Sequence, residues 1–242
     1  MAIDTYLARK CNKNTDSILR FYGWKPFCLS IGCHQNMNIV DLKSLKHKGF
    51  HYVRRPSGGR AIFHSQELTY SAIFPKPVLN HQRLYEFIHL LFFRTLRSLG
   101  YDVAIQESRS IMPRIKDQSY DFPCFTKSAY SELHYDGKKI MGSAQKILKN
   151  AILQHGSLLI GKAHEQLPEY LKESDENKEL IKSEIQRKTK CLNEIKSDPI
   201  TPEQIMTAFI KQLELNKTIV LNFKDLHSSE LDNARLINIE SE

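Results

Sequence analysis

Two stretches of this chain hold residue types that can do chemistry: RRPSGGRAIFHSQELTY at residues 54 to 70 and GKKIMGSAQKILKNAILQHGSLL at residues 137 to 159. In the first, Arg54 and Arg55 lead into Pro56, the chain turns at Ser57-Gly58-Gly59, and a short apolar run after Arg60 ends at His64. Adjacent glycines admit positive φ and leave no Cβ between a ligand and the backbone amides. Pro56 fixes the entry to the turn, and arginines on both sides add positive charge. An anion and acyl site fits this composition; so does a hairpin turn with a basic tip. In the second stretch Lys139 precedes Gly142-Ser143-Ala144-Gln145, and His155-Gly156-Ser157 follow in the next strand. Small residues again allow close approach, while a lysine can neutralise or polarise an anion. Two ordinary strands with a surface lysine read equally well from these residues alone.

A cysteine lies between the two, in PCFTKSAYSEL at residues 123 to 133. A thiol attacks only as the thiolate, and a nearby ammonium favours that form. Cys124 and Lys139 sit on adjacent segments of a hairpin turning at Asp136-Gly137. Perfect pairing would leave about ten residues of strand between them, so the loop must fold back for them to meet. Cys28 and Cys33 fall in apolar strand patterns and read as core, whereas Cys11 and Cys191 have polar neighbours. Five cysteines without a CxxC pair indicate free thiols rather than a disulfide framework or a metal site.

The elements that must position these residues follow from periodicity. Residues 2 to 10 read as a helix, 18 to 24 and 27 to 33 as strands, and 41 to 48 as a helix stopped by Gly49. Strands are expected at 51 to 54, 61 to 64 and 68 to 74, and a long apolar helix at 84 to 99 before Gly100. His89 in that helix reads as structural. A strand at 101 to 105 precedes a polar loop from Glu107 to Phe122. Strand character returns at 125 to 135, 139 to 141 and 151 to 160, with Asp136-Gly137 as a two-residue turn. Residues 164 to 198 are charged and helical, Thr201-Pro202 opens a helix to about Leu213, and 219 to 223 resembles a strand. The last fifteen or so residues carry little signal and read as fraying. Strands with few interleaved helices predict an α+β fold with a mixed sheet. The expected organisation is a catalytic core at 1 to 163 with a charged helical extension, 164 to 242, packed on the same domain.

The net charge of +8 asks for an acidic partner. No helix-turn-helix, RNP or zinc-finger signature points to nucleic acid, and acidic carrier proteins satisfy the same electrostatics. With neither an apolar leader nor a membrane-length apolar run, the expected location is the cytoplasm.

RRPSGGRAIFHSQELTYS, then CF with SAYSEL, then GKKIMGSAQ, then ILQHGSL together resemble the lipoate–biotin protein ligase superfamily, and within it the LipM-type octanoyltransferases. The resemblance runs from about Leu19 to Gly161 and more weakly through the helix after Thr201. It implies a class II synthetase-like α/β fold and octanoyl transfer from octanoyl-acyl carrier protein, through a cysteine thioester, to one lysine of a lipoyl-domain protein. That acceptor would be the glycine-cleavage H protein or the acyltransferase subunit of a 2-oxoacid dehydrogenase. Carried over by position, Cys124 is the acyl-thioester cysteine and Lys139 the lysine that lowers its pKa. Arg55, Ser57, Gly58, Gly59 and His64, the backbone of Gly142, Ser143, Ala144 and Gln145, and His155 and Gly156 are similar to the substrate pocket. No cofactor, metal, nucleic acid or membrane is implied. An ATP-dependent lipoate–protein ligase using Lys139 directly, and an amidotransferase moving octanoate between lipoyl domains, are the alternatives within the superfamily.

Overall fold

The computed structural model describes residues 1–76, 80–106, 132–217 and 219–239. Cys124 and the expected loop at 107 to 122 lie outside the described residues. Four strands form an antiparallel sheet in the order β1 (Ile18–Tyr22), β5 (Glu67–Pro75), β10 (Ala151–Leu159), β9 (Met141–Ile147). A second sheet joins β2 (Cys28–Ile31) in parallel to β3 (His51–Arg54) and antiparallel to β4 (Ile62–His64). The third pairs β6 (Ala104–Gln106), β7 (Glu132–Tyr135) and β8 (Lys138–Lys139). The turn between β7 and β8 has Asp136 at φ 48° and Gly137 at φ 69°, the two positive values that a tight hairpin needs.

Alternation along β5 and β10 gives the large sheet two different faces. Leu68, Tyr70, Ala72 and Leu158 share the main core with Phe92 and Leu96 of helix α3 (His81–Ser98). Helix α5 (Pro202–Glu214) closes the same core with Ile205 and Phe209. On the other face, Ile73, Ala151 and Leu153 pack under helix α1 (Ala2–Lys10). A smaller core joins Leu29, Ile31 and Phe63 to Leu45 of helix α2 (Leu42–His47) and Ile181 of helix α4 (Asp175–Lys188). Charged segments beyond residue 164 therefore supply apolar residues to both cores.

Helix starts follow side-chain caps: Asp41 accepts from Lys43 and Ser44, and Asn80 from Arg83. Thr201 and Gln204 form a reciprocal box ahead of α5. Several expectations are corrected. The helix expected from 84 begins at His81 because Asn80 caps it, and the strand expected at 101 to 105 is confined to Ala104–Gln106. Residues 219 to 223 are not a strand: Val220 is 92% and Phe223 73% exposed, while Ile219 and Leu221 rest on the main core. The segment expected to fray forms helix α6 (Ser228–Ile239), which lies along α1, with Asn233 Nδ2 donating to Tyr6 Oη at 3.4 Å. Cys11 and Cys191 are buried despite polar sequence neighbours, and Cys33 is half-buried in the turn after β2.

Candidate active site

The glycine turn folds against the end of β2. Cys33 N donates to Ser57 O at 3.0 Å, and a Cβ on Gly32 would meet Gly59 O at 2.0 Å. Gly59 itself has φ 97°. Arg55 braces this turn from inside: its Nη2 donates to Gly58 O at 3.1 Å and Arg60 O at 2.6 Å, and its Nη1 to Ser30 Oγ at 3.2 Å. Arg54 is likewise spent on backbone, donating to Gln35 O at 2.6 Å. The arginines thus hold the shape of the turn, and Gly58 has open space beside its Cα.

His64 leaves β4 into a buried polar cluster. Its Nδ1 lies 2.7 Å from Glu67 Oε1, its Nε2 2.7 Å from Ser30 Oγ, and its ring stacks on Trp24 at 4.5 Å between centroids. Glu67 Oε1 also accepts from Thr69 Oγ1 and Ser157 Oγ, each at 2.7 Å. Burial works to raise the Glu67 pKa, but His64 and the three hydrogen bonds outweigh it and hold the carboxyl below its ordinary value.

The second motif meets the first at His155. Its Nε2 lies 2.5 Å from Ser57 Oγ, and burial drives its pKa down to about 3, so the ring is neutral. Gly156 is packed so closely that a Cβ there would lie 2.5 Å from Gly142 O and 2.6 Å from Tyr70 Cε1. The small residues divide between the faces of β9. Gly142 pairs with Ser157 and Ala144 with His155. Ser143 instead bonds Tyr70 Oη at 2.7 Å and His89 Nε2 at 2.9 Å, and Gln145 donates to His81 O at 2.7 Å. Ser143 and Gln145 therefore serve the α3 side. Their side-chain hydrogen bonds there fasten β9, and of the four residues Gly142 and Ala144 lie on the face of the glycine turn.

Lys139 is buried, 5% exposed, and its Nζ donates to Glu132 Oε1 at 2.6 Å. Lys139 O accepts from Lys190 N at 3.0 Å, which ties the lysine strand to the segment after α4. The structure thus unites Ser57 with His155 and surrounds His64 with Ser30, Glu67 and Ser157. Sequence reasoning missed Trp24, Ser30, Glu67 and Glu132, and reached Ser157 only as one of a run of small residues. The three-residue spacing from His64 to Glu67 was the one local signal for any of them.

The sequence profile of the lipoyl protein ligase A/B catalytic domain matches residues 1–214. The chain belongs to this family. Within it, the chain is 35% identical over 227 residues to octanoyltransferase LipM of Geobacillus kaustophilus, covering 88% of this chain and 79% of the relative. LipM of Staphylococcus aureus is 32% identical over 249 aligned positions, covering 99% and 88%. This family member is therefore an acyltransferase of the LipM octanoyltransferase group. Its fold is that of a bipartite lipoate protein ligase from Thermoplasma acidophilum, with a TM-score of 0.78 at 20% identity over 99% of this chain and 86% of that one. Lipoate-protein ligase A bound with ATP superposes with a TM-score of 0.74 at 20% identity, covering 99% and 88%. Both superpositions bear out the expected synthetase-like α+β architecture.

Proposed function

We propose that this octanoyltransferase takes octanoate from octanoyl-acyl carrier protein onto Cys124 and passes it to one lysine of a lipoyl-domain protein in the cytoplasm. The acceptor is the glycine-cleavage H protein or the acyltransferase subunit of a 2-oxoacid dehydrogenase. The observation that carries this reading is the 35% identity to a LipM octanoyltransferase across 88% of the chain.

The Cys124 thiolate attacks the donor carbonyl, and the tetrahedral oxyanion collapses by expelling the carrier thiol as thiolate, which takes up a proton. The acceptor amine then attacks the new thioester, loses a proton, and releases Cys124. One thioester becomes another and then an amide, so the transfer runs without ATP. A buried Lys139 clamped by Glu132 supports its role as a fixed cation, favouring the thiolate and then the oxyanion. Burial pushes the thiols of Cys28 and Cys191 up to about 12 and raises that of Cys11, which argues against a nucleophile at those three positions; between Cys124 and the half-buried Cys33, the family motif favours Cys124. The glycine turn, His64 and the Gly142, Ala144 and His155 face are proposed to seat the acyl chain. Residues 164–242 act as an extension of the 1–163 core rather than as an independent unit.

The test is acylation of an apo lipoyl domain, followed by mass spectrometry. Octanoylation from octanoyl-acyl carrier protein without ATP is expected. Modification only from free lipoate plus ATP would make the protein a ligase. Activity only from an octanoylated H protein would make it an amidotransferase.

A further inference from the structure

Between Leu42 and Gln66 the chain carries six lysines and arginines and no carboxylate, within a net charge of +8 for the whole. Four of these cations are exposed, and they run through α2 and β3, which pack against each other. Lys43 and Lys46 lie one turn apart on α2, Lys48 follows the helix, and Arg54 ends β3 at the glycine turn. His47 and His51, also exposed, lie among them. Among the described residues, none of the four cations forms an ion pair. The carboxylate next in sequence, Asp41, is spent on capping α2, where it accepts from Lys43 N, Ser44 N and Ser44 Oγ. β3 is also an edge strand: among the described residues it pairs with β2 alone, and Tyr52 in its middle is 51% exposed. An exposed tyrosine set among unpaired cations has the composition of a docking face for an acidic protein.

We propose that α2 and β3 dock the acidic carrier protein that delivers octanoate. This rests on the reading above that the donor is a carrier-protein thioester. Distance favours the donor over the acceptor as the occupant. β3 runs about 10 Å from His51 to Arg54, and the glycine turn begins only beyond it, at Ser57. The acyl group of a carrier hangs on a long, flexible pantetheine arm, which spans that strand while the protein stays on the lysines. An acceptor lysine has only a four-carbon stem, so its domain must sit directly over the site. The exposed charges raise the rate of encounter and orient the carrier, with its arm directed along β3 toward the glycine turn.

Titration with a carrier protein loaded with octanamide, which cannot transfer, tests the surface by binding alone. Lys43→Glu/Lys46→Glu/Lys48→Glu should weaken binding at least about tenfold at low salt, and the difference should shrink as salt rises. A control reversing Lys211, Lys217 and Lys224, exposed on and beyond α5, makes the same change in net charge. It should bind within about twofold of wild type. Equal weakening by both triple variants, or by neither, overturns the proposal. Should the reversed variant fail to fold, Lys43→Gln/Lys46→Gln/Lys48→Gln reads the same surface, with an expected loss of about threefold; binding equal to wild type overturns it. Transfer supplies a second readout. From octanoyl-pantetheine, a donor without a protein, variant and wild type should share one kcat/KM, whereas KM for the octanoyl carrier should rise about tenfold. A rise in KM for the lipoyl domain alone would assign the surface to the acceptor and overturn the proposal. Lysine-dependent carrier binding beside no transfer from the octanoyl carrier would leave the docking face standing and sink the donor reading. Transfer from the carrier at one KM for wild type and variant would do the reverse.

Discussion

Ser57 Oγ and His155 Nε2 lie 2.5 Å apart although 98 positions separate them in the chain. That one bond fastens the glycine turn to β10 and fixes where the turn's open face looks. Both residues are buried, so removing the hydroxyl leaves an imidazole nitrogen without its partner. Ser57→Ala should lose about 1–3 kcal/mol of stability in urea unfolding. A loss below about 0.5 kcal/mol would show that the bond does not hold the turn.

His155 also makes stability depend on pH. Its pKa falls from 6.5 to about 3 on folding, because burial disfavours the charged ring. The unfolded chain therefore takes up a proton that the native one refuses. Its contribution is complete above pH 6.5 and is lost as pH falls toward 3. His164, lowered by burial as well, acts in the same direction. His155→Asn should flatten the stability profile by up to about 1.4 kcal/mol per pH unit between roughly pH 6 and 5. An unchanged slope would contradict the neutral, buried ring.

Gly156 admits no side chain, since its Cβ would overlap Gly142 O, Ser143 Oγ and Tyr70 Cε1. Two of those contacts involve strand β9 and none can retreat cheaply. Gly156→Ala should destabilise by about 1–3 kcal/mol, read as a lower melting temperature. Gly58, with open space around it, should accept alanine with less loss of stability.

Lys139 is expected to serve both structure and chemistry. Lys139→Ala removes the 2.6 Å cation from buried Glu132, which His134 Nε2 approaches only to 3.8 Å, and should cost about 3–5 kcal/mol in denaturant unfolding. Octanoyl transfer by the fraction that stays folded should fall by a factor of about 10² or more. A variant that loses stability but keeps its specific activity would leave Lys139 a structural residue.

Much of the fold was legible where local chemistry decides the outcome. The Asp136-Gly137 turn, the Gly49 and Gly100 helix ends and the Thr201-Pro202 start each need particular residues at particular positions. Strand character at 219 to 223 failed because apolar residues make a strand only beside a partner, and Val220 and Phe223 have solvent there instead. The site was legible in part. His64, Ser57 and His155 stand out as residue types, but Glu67 carries no signal of its own ahead of the strand expected at 68 to 74. Its burial depends on Ser157, which reaches it from 90 positions away. Ser143 and Gln145 enter the pocket reading through their backbone, and alternation along β9 turns their side chains toward α3.

The central claim is that octanoate passes through Cys124. Intact mass of the purified protein after incubation with octanoyl-acyl carrier protein and no ATP tests it directly, with Cys124→Ala alongside. A hydroxylamine-labile octanoyl adduct on wild type and none on the variant is the predicted result. No adduct on either protein, with both acylating a lipoyl domain at equal rates, would contradict it.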